Sequence, residues 1–190
     1  MRRITPLFAL VSVVALQAAC TDSGIVTRPT PTAAADARAS AEGSVRRIEM
    51  HDACDPMSFD NAIGAGTCTR SGGVKFDRFI AQLTKKGVAE AWRFTPSELN
   101  ARVGQTLMAI NRGGEVHTFT EVEQFGGGIV PFLNDLSGNT QVAPECLALE
   151  ADDFIPPGGF DADDEVEEPG TELYQCCIHP WMRTVVHGRA

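Results

Sequence analysis

A chain of 190 residues with 43% apolar composition can bury one well-packed core with appendages, but not two full cores. Its formal charge of -9 repels nucleic acid and leaves basic proteins or metal cations as the natural partners, although surplus acid also serves solubility alone.

Residues 1–19 begin with Arg2 and Arg3, continue in an apolar run from Leu7 to Leu16 and end in Ala18 and Ala19. That order predicts an export signal, and the apolar run is too short to cross a bilayer comfortably. With Cys20 directly after the small residues, the segment resembles a bacterial lipoprotein signal, in which this cysteine is acylated and becomes the mature N-terminus. The resemblance implies a lipid anchor at Cys20 and a place in the bacterial cell envelope, on the periplasmic or extracellular side. Ordinary secretion, with Cys20 removed or left as a thiol, is the alternative. Residues 20–44 are rich in Thr, Pro and Ala without sustained periodicity, so they read as a tether between anchor and domain. Export puts the other five cysteines, Cys54, Cys68, Cys146, Cys176 and Cys177, where disulfides persist. Five is odd, so one must stay unpaired, bind something or bridge to another chain.

Residues 45–87 read as an N-terminal extension. Phe76, Phe79, Ile80 and Leu83 fall at helical spacing before Gly87, which predicts a short amphipathic helix. Cys54 and Cys68 flank a Gly-rich loop and are expected to staple the extension. From residue 88 the pattern changes to short β-like runs, AWRFTP, VGQTLMAINR and EVHTFTEV, separated by Pro, Gly or Asn. Their alternation predicts an antiparallel sandwich for residues 88–190. An irregular stretch interrupts it: residues 150–168 carry nine carboxylates and no Lys or Arg. It reads as a solvated acidic loop insertion, or more sharply as a docking surface for a cationic partner. The spacing of Asp161, Asp163 and Glu165 hints at calcium, but the glycine of a calcium loop is missing.

The chemistry lies in YQCCIHPWMR. Cys176, His179 and Met182 stand as C-x-x-H-x-x-M, which sets a thiolate, an imidazole and a thioether on one tight loop between two strands. Thiolate and imidazole bind a borderline metal strongly, whereas a thioether is a weak donor that zinc rarely recruits and copper tolerates. A third strong donor has to come from elsewhere, and His117, at the start of HTFTEV after the NRGGE turn, is the candidate. The set is then His, Cys and His in a plane with a distant Met, the pattern of blue-copper electron-transfer sites. Cys177, beside the proposed ligand, is able to compete for metal or to pair with Cys146. Trp181 is expected to pack over the site, and His51 and His187 to lie on the surface.

These residues resemble the cupredoxins, the plastocyanin and azurin superfamily, and within it the amicyanin-type loop. Tyr174, Cys176, His179, Pro180, Trp181, Met182 and Arg183 carry the likeness, and RFTPSELNARVGQTLMAINRGGEVHTF is similar to the upstream part of such domains. The resemblance implies an all-β, cupredoxin-like Greek-key β-sandwich holding one copper ion, cycling between Cu(I) and Cu(II), and implies that Asn111 supports the ligands. It also implies that the ring edge of His179 lies near the surface as the electron route, and Thr118 departs from it where many members carry Asn. The expected function is single-electron transfer with a redox protein partner, with copper binding and delivery as the alternative. Enzymatic activity is not expected, because oxidase centres consume many histidines and this chain has four.

Overall fold

A computed structural model of the chain describes residues 45–190. The proposed signal, tether and acylated Cys20 lie outside the described residues. Among the described residues, eight strands form two four-stranded sheets. One contains, in spatial order, β2 (Arg93–Thr95), β1 (Val45–His51), β4 (Thr106–Asn111) and β6 (Phe160–Asp161). The other contains β3 (Glu98–Arg102), β8 (Arg183–Arg189), β7 (Gly170–Gln175) and β5 (Thr120–Val122). Each sheet contains one parallel pair, β1 with β4 and β3 with β8, among antiparallel ones, and the chain passes repeatedly between the sheets as in a Greek-key sandwich.

Alternation produces the layers. Leu107, Ala109 and Asn111 of β4 and Leu99 and Ala101 of β3 point inward, with less buried residues between them. Ile48, Met50 and Phe94 from one sheet and Tyr174 and Val186 from the other complete a single shared core.

One boundary differs from the sequence reading. Val45–His51 is not part of an extension but an inner strand, hydrogen-bonded on both sides to β2 and β4. VRRIEMH shows apolar alternation only at Ile48 and Met50, and its two arginines mask the strand. Beyond it, residues 52–87 fold as a cap that includes α1 (Pro56–Ala62) and α2 (Phe76–Lys86). Asp55 starts α1 by accepting from the Ser58 N–H, and Gly87 ends α2 with φ 71°, a left-handed conformation that glycine adopts without penalty. The cap is held by rings: Phe59 stacks on Trp92 at 5.8 Å, and Phe79 sits 4.5 Å from Trp92 and 6.0 Å from Trp181. Full burial of Phe59 and Leu83 stabilises it by roughly 1.5–3 kcal/mol each. The Cys54–Cys68 disulfide closes it covalently. A third helix, α3 (Pro131–Ser137), packs beside α2.

The acidic stretch is more than a solvated loop. Phe160 and Asp161 pair with β4, Val166 is fully buried, and Ile155 is buried and bridges to His117. Asp161, Asp163 and Glu165 do not converge as metal donors; among the described residues no group with that potential includes them. Burial, reinforced by Asp161, Glu121, Asp163 and Glu172, pushes the Asp164 carboxyl up from 3.8 to about 7. Folding therefore takes up a proton between those values, and stability falls as pH rises through that window. At about pH 8, Asp164→Asn is expected to melt roughly 2–4 °C higher than the native chain, equivalent to about 1 kcal/mol at this size. The difference should vanish at acid pH, and thermal melts across the range check both arms.

Candidate metal centre

The loop between β7 and β8 is tied at its neck. Cys176 N–H donates to Met182 O at 3.0 Å and Met182 N–H to His179 O at 2.9 Å. Arg183 fastens it from outside, donating to Pro180 O at 2.8 Å and to Asn139 Oδ1 at 2.5 Å, with its guanidinium over Phe125. Strand alternation then separates the adjacent cysteines. Cys176 turns into the sandwich as the free cysteine among the described residues, whereas Cys177 turns to the opposite side and forms a disulfide with Cys146.

His117 reaches the same pole from the stretch preceding β5. It is anchored by reciprocal backbone hydrogen bonds with Ile155, His117 N–H to O at 3.2 Å and Ile155 N–H to O at 2.8 Å. The result is a tight triad: the Cys176 sulfur lies 3.8 Å from His117 Nδ1 and 3.9 Å from His179 Nδ1, and all three donor atoms lie within 4.8 Å of one another. A first-row ion with metal–nitrogen bonds of about 2.0–2.1 Å and a metal–sulfur bond of about 2.3 Å would space these donors roughly 3.8 Å apart in a trigonal plane. A tetrahedral angle would bring them to about 3.6 Å with the same bonds. The two sulfur–nitrogen distances thus match the spacing of a trigonal two-nitrogen, one-sulfur site. Met182 is fully buried on the same loop.

The sulfur also receives two backbone donors, Thr118 N–H at 3.4 Å and His179 N–H at 3.5 Å. Thr118 is therefore no loss relative to Asn: its hydroxyl also accepts from Cys177 N–H at 2.8 Å and laces the two ligand segments together. Burial alone would raise the Cys176 thiol, but hydrogen bonds and charge from His117 and His179 outweigh it and hold the group well below its ordinary value. Asn111 is buried at this pole, and its side chain hydrogen-bonds to backbone groups. Its amide donates to Glu115 O and Ile155 O, and its carbonyl accepts from Gly113 N–H, so it shapes the turn that presents His117.

Two carboxylates complete the site, and sequence reasoning missed both. Asp52 Oδ2 accepts from His117 Nε2 at 2.9 Å, with both side chains essentially inaccessible. Burial opposes ionisation of Asp52, but the His117 ring and the N–H groups of Glu115 and Gly114 bring its pKa down to about 2. In turn burial would lower His117, but Asp52 and Cys176 raise it to about 9. Glu115 accepts from the Trp92 indole at 2.5 Å and lies 3.7 Å from His179 Nε2. Burial, with a contribution from the Asp52 charge, raises the Glu115 carboxyl against the pull of His179 and Trp92. The neighbouring HDAC and GGEVH strings were legible, but nothing in them tells which imidazole a carboxylate will meet.

One expectation is overturned. His179 has no surface edge: it is 3% exposed, faces Glu115 and packs edge-on against Trp181 at 5.5 Å. The cap covers the pole that a minimal sandwich would leave open. Trp181, half-buried between His179 and Phe79, does pack over the site. His51 and His187 pair with Glu49 and Glu98 away from it.

No family model and no curated protein matches the chain. Solved structures similar to it include a purple cupredoxin from Nitrosopumilus maritimus, 22% identical over 54% of this chain and 87% of that one, with a TM-score of 0.39. A Cu(I) form of an amicyanin mutant is 22% identical over 51% of this chain and 73% of its own, at a TM-score of 0.35. A reduced amicyanin mutant is 25% identical over 49% and 70%, at 0.33. Two four-stranded sheets carry the Cys-x-x-His-x-x-Met loop between β7 and β8, with a histidine from before β5 at the same pole. That arrangement is the β-sandwich which the sequence resemblance to the cupredoxins implies.

Gly113 marks how closely the pole is packed, since a Cβ there would lie 1.9 Å from Asp52 Oδ2. Gly113→Ala is expected to cost about 1–3 kcal/mol as Asp52 is displaced. Denaturant unfolding of the metal-free protein measures it.

Proposed function

We infer that the chain is a type 1 copper protein that carries single electrons, and that His117, Cys176, His179 and Met182 would hold the ion. The observation that supports this reading is the buried triad of two imidazole Nδ1 atoms and one thiolate at trigonal spacing. Copper held there supplies the one-electron Cu(I)/Cu(II) couple. The residues contribute rigidity: loop, strand and disulfide fix each donor before metal arrives, which keeps reorganisation small. Burial of all three ligands leaves no open coordination position for a substrate, so the site is suited to electron exchange and not to catalysis.

With His179 sealed, exchange with a protein partner runs through the half-buried Trp181, which bridges His179 and the rings of the cap. The acidic surface of residues 150–168 suits a basic redox partner. In this reading the protein works in the bacterial cell envelope, tethered by a lipid at Cys20. No helix among the described residues is long and apolar enough to cross a membrane. Copper delivery to another protein is the weaker reading, because handing over the ion requires an accessible ligand and these are buried on every side.

Adding Cu(II) to a protein comprising residues 21–190 should produce an intense visible thiolate-to-copper band. The band is expected to be lost in Cys176→Ser and to survive in the double variant Cys146→Ser, Cys177→Ser, which is destabilised by about 2–4 kcal/mol through loss of the disulfide. Retention of copper against a chelator through repeated reduction and oxidation separates electron transfer from delivery. Persistence of the band in Cys176→Ser would sink the ligand assignment.

A further inference from the structure

Asp52 is held in place from several sides. It follows β1 directly, and the disulfide at Cys54 fixes the chain two residues on. The NRGGE turn wraps its carboxylate. Gly114 N–H donates to both oxygens at 2.9 and 2.8 Å, Glu115 N–H to Oδ2 at 3.0 Å and Cys54 N–H to Oδ1 at 3.3 Å. Both glycines are required by closeness: a Cβ on Gly113 would strike Asp52, and one on Gly114 would lie 2.8 Å from the Cys54 sulfur. The carboxylate is 1% exposed, and the side chain it meets is a ligand imidazole. Such a bond fixes the ring with its proton on Nε2, leaves the Nδ1 lone pair for the ion and makes the imidazole a stronger donor.

Resting on the copper reading above, we propose that Asp52 sets the reduction potential of the centre, and that β1 with the cap serves to hold this charge behind His117. A copper(II) ion with one thiolate leaves a net positive site, and one electron from a donor protein neutralises it. A fixed, buried negative charge behind a ligand favours the oxidised ion, because the positive site is the form it attracts. The proton on Nε2 stays in place through the cycle, so one electron is the only species transferred. Low solvent access keeps the effect from being screened, unlike that of a surface carboxylate.

The test is direct electrochemistry on copper-loaded Asp52→Asn, which keeps the shape and an acceptor oxygen but removes the charge. Its thiolate-to-copper band should persist, and the equilibrium should move at least about tenfold towards Cu(I), an upward shift of about 59 mV for one electron. Glu49→Gln, which removes a 40%-exposed carboxylate from β1, just before Asp52, should move it by no more than about twofold, because solvent-exposed charges are screened. Copper affinity of Asp52→Asn should fall by roughly 10–100-fold. An intact band with a potential no higher than that of Glu49→Gln overturns the proposal. Should Asp52→Asn not fold, proton NMR of the Zn(II)-loaded native protein decides instead. A downfield, slowly exchanging Nε2 proton on His117 is expected, and one that exchanges as fast as an exposed imidazole overturns it. Absence of the thiolate band in the native protein is a different result, which removes the copper reading itself.

Discussion

A thiolate taken out of water costs several kcal/mol unless N–H groups or positive charge are brought to it. At Cys176 that demand is met from separate parts of the chain: the N–H of Thr118, the N–H of His179 and the two imidazoles. The pole of the sandwich is organised to keep these groups together. The β7–β8 loop is closed by its own backbone, Thr118 laces it to the His117 strand, and Ile155 from the acidic segment holds that strand from the other side. A metal ion with two positive charges would answer the same demand more fully.

The segments outside a minimal sandwich acquire purpose at this pole. The cap brings Phe59, Phe79 and the Cys54–Cys68 disulfide, which support Trp92 and hold the chain beyond Asp52. Trp92 in turn donates to Glu115, which faces His179. Each of the two imidazoles therefore has a carboxylate on the side away from the sulfur, close for His117 and looser for His179. The consequence is a site closed to water, with its electrostatics set by buried groups and not by solvent. In the proposed electron-transfer role, the route would pass through packed rings, since the His117, Cys176 and His179 side chains are all buried.

Much of this was readable from residue order, because local spacing and local structure coincide there. Cys176, His179 and Met182 lie within one turn-sized loop, so the types and gaps reveal the chemistry without a fold. The α2 stripe of Phe76, Phe79, Ile80 and Leu83 and its terminal Gly87 were legible for the same reason. Less was visible where a segment's role depends on what lies beside it. VRRIEMH became an inner strand because β2 and β4 pair with it on both edges, a fact its arginines conceal. Phe160 and Asp161 were absorbed into an acidic run, although they close the edge of β4.

By itself, then, the amino-acid order determined a sandwich of short strands, an odd cysteine among five, a loop of soft donors and a partner histidine for it. Short-range periodicity and donor type suffice for those conclusions. Tertiary structure alone decided that Cys177 pairs with Cys146, that His179 is covered, and that Asp52 and Glu115 stand behind the imidazoles. Each of those depends on residues brought within hydrogen-bonding or bonding distance from far apart in the chain, as Asp52 is to His117 across a separation of 65 positions. No local pattern encodes such an approach, because it is the closing of two sheets around one core that creates it.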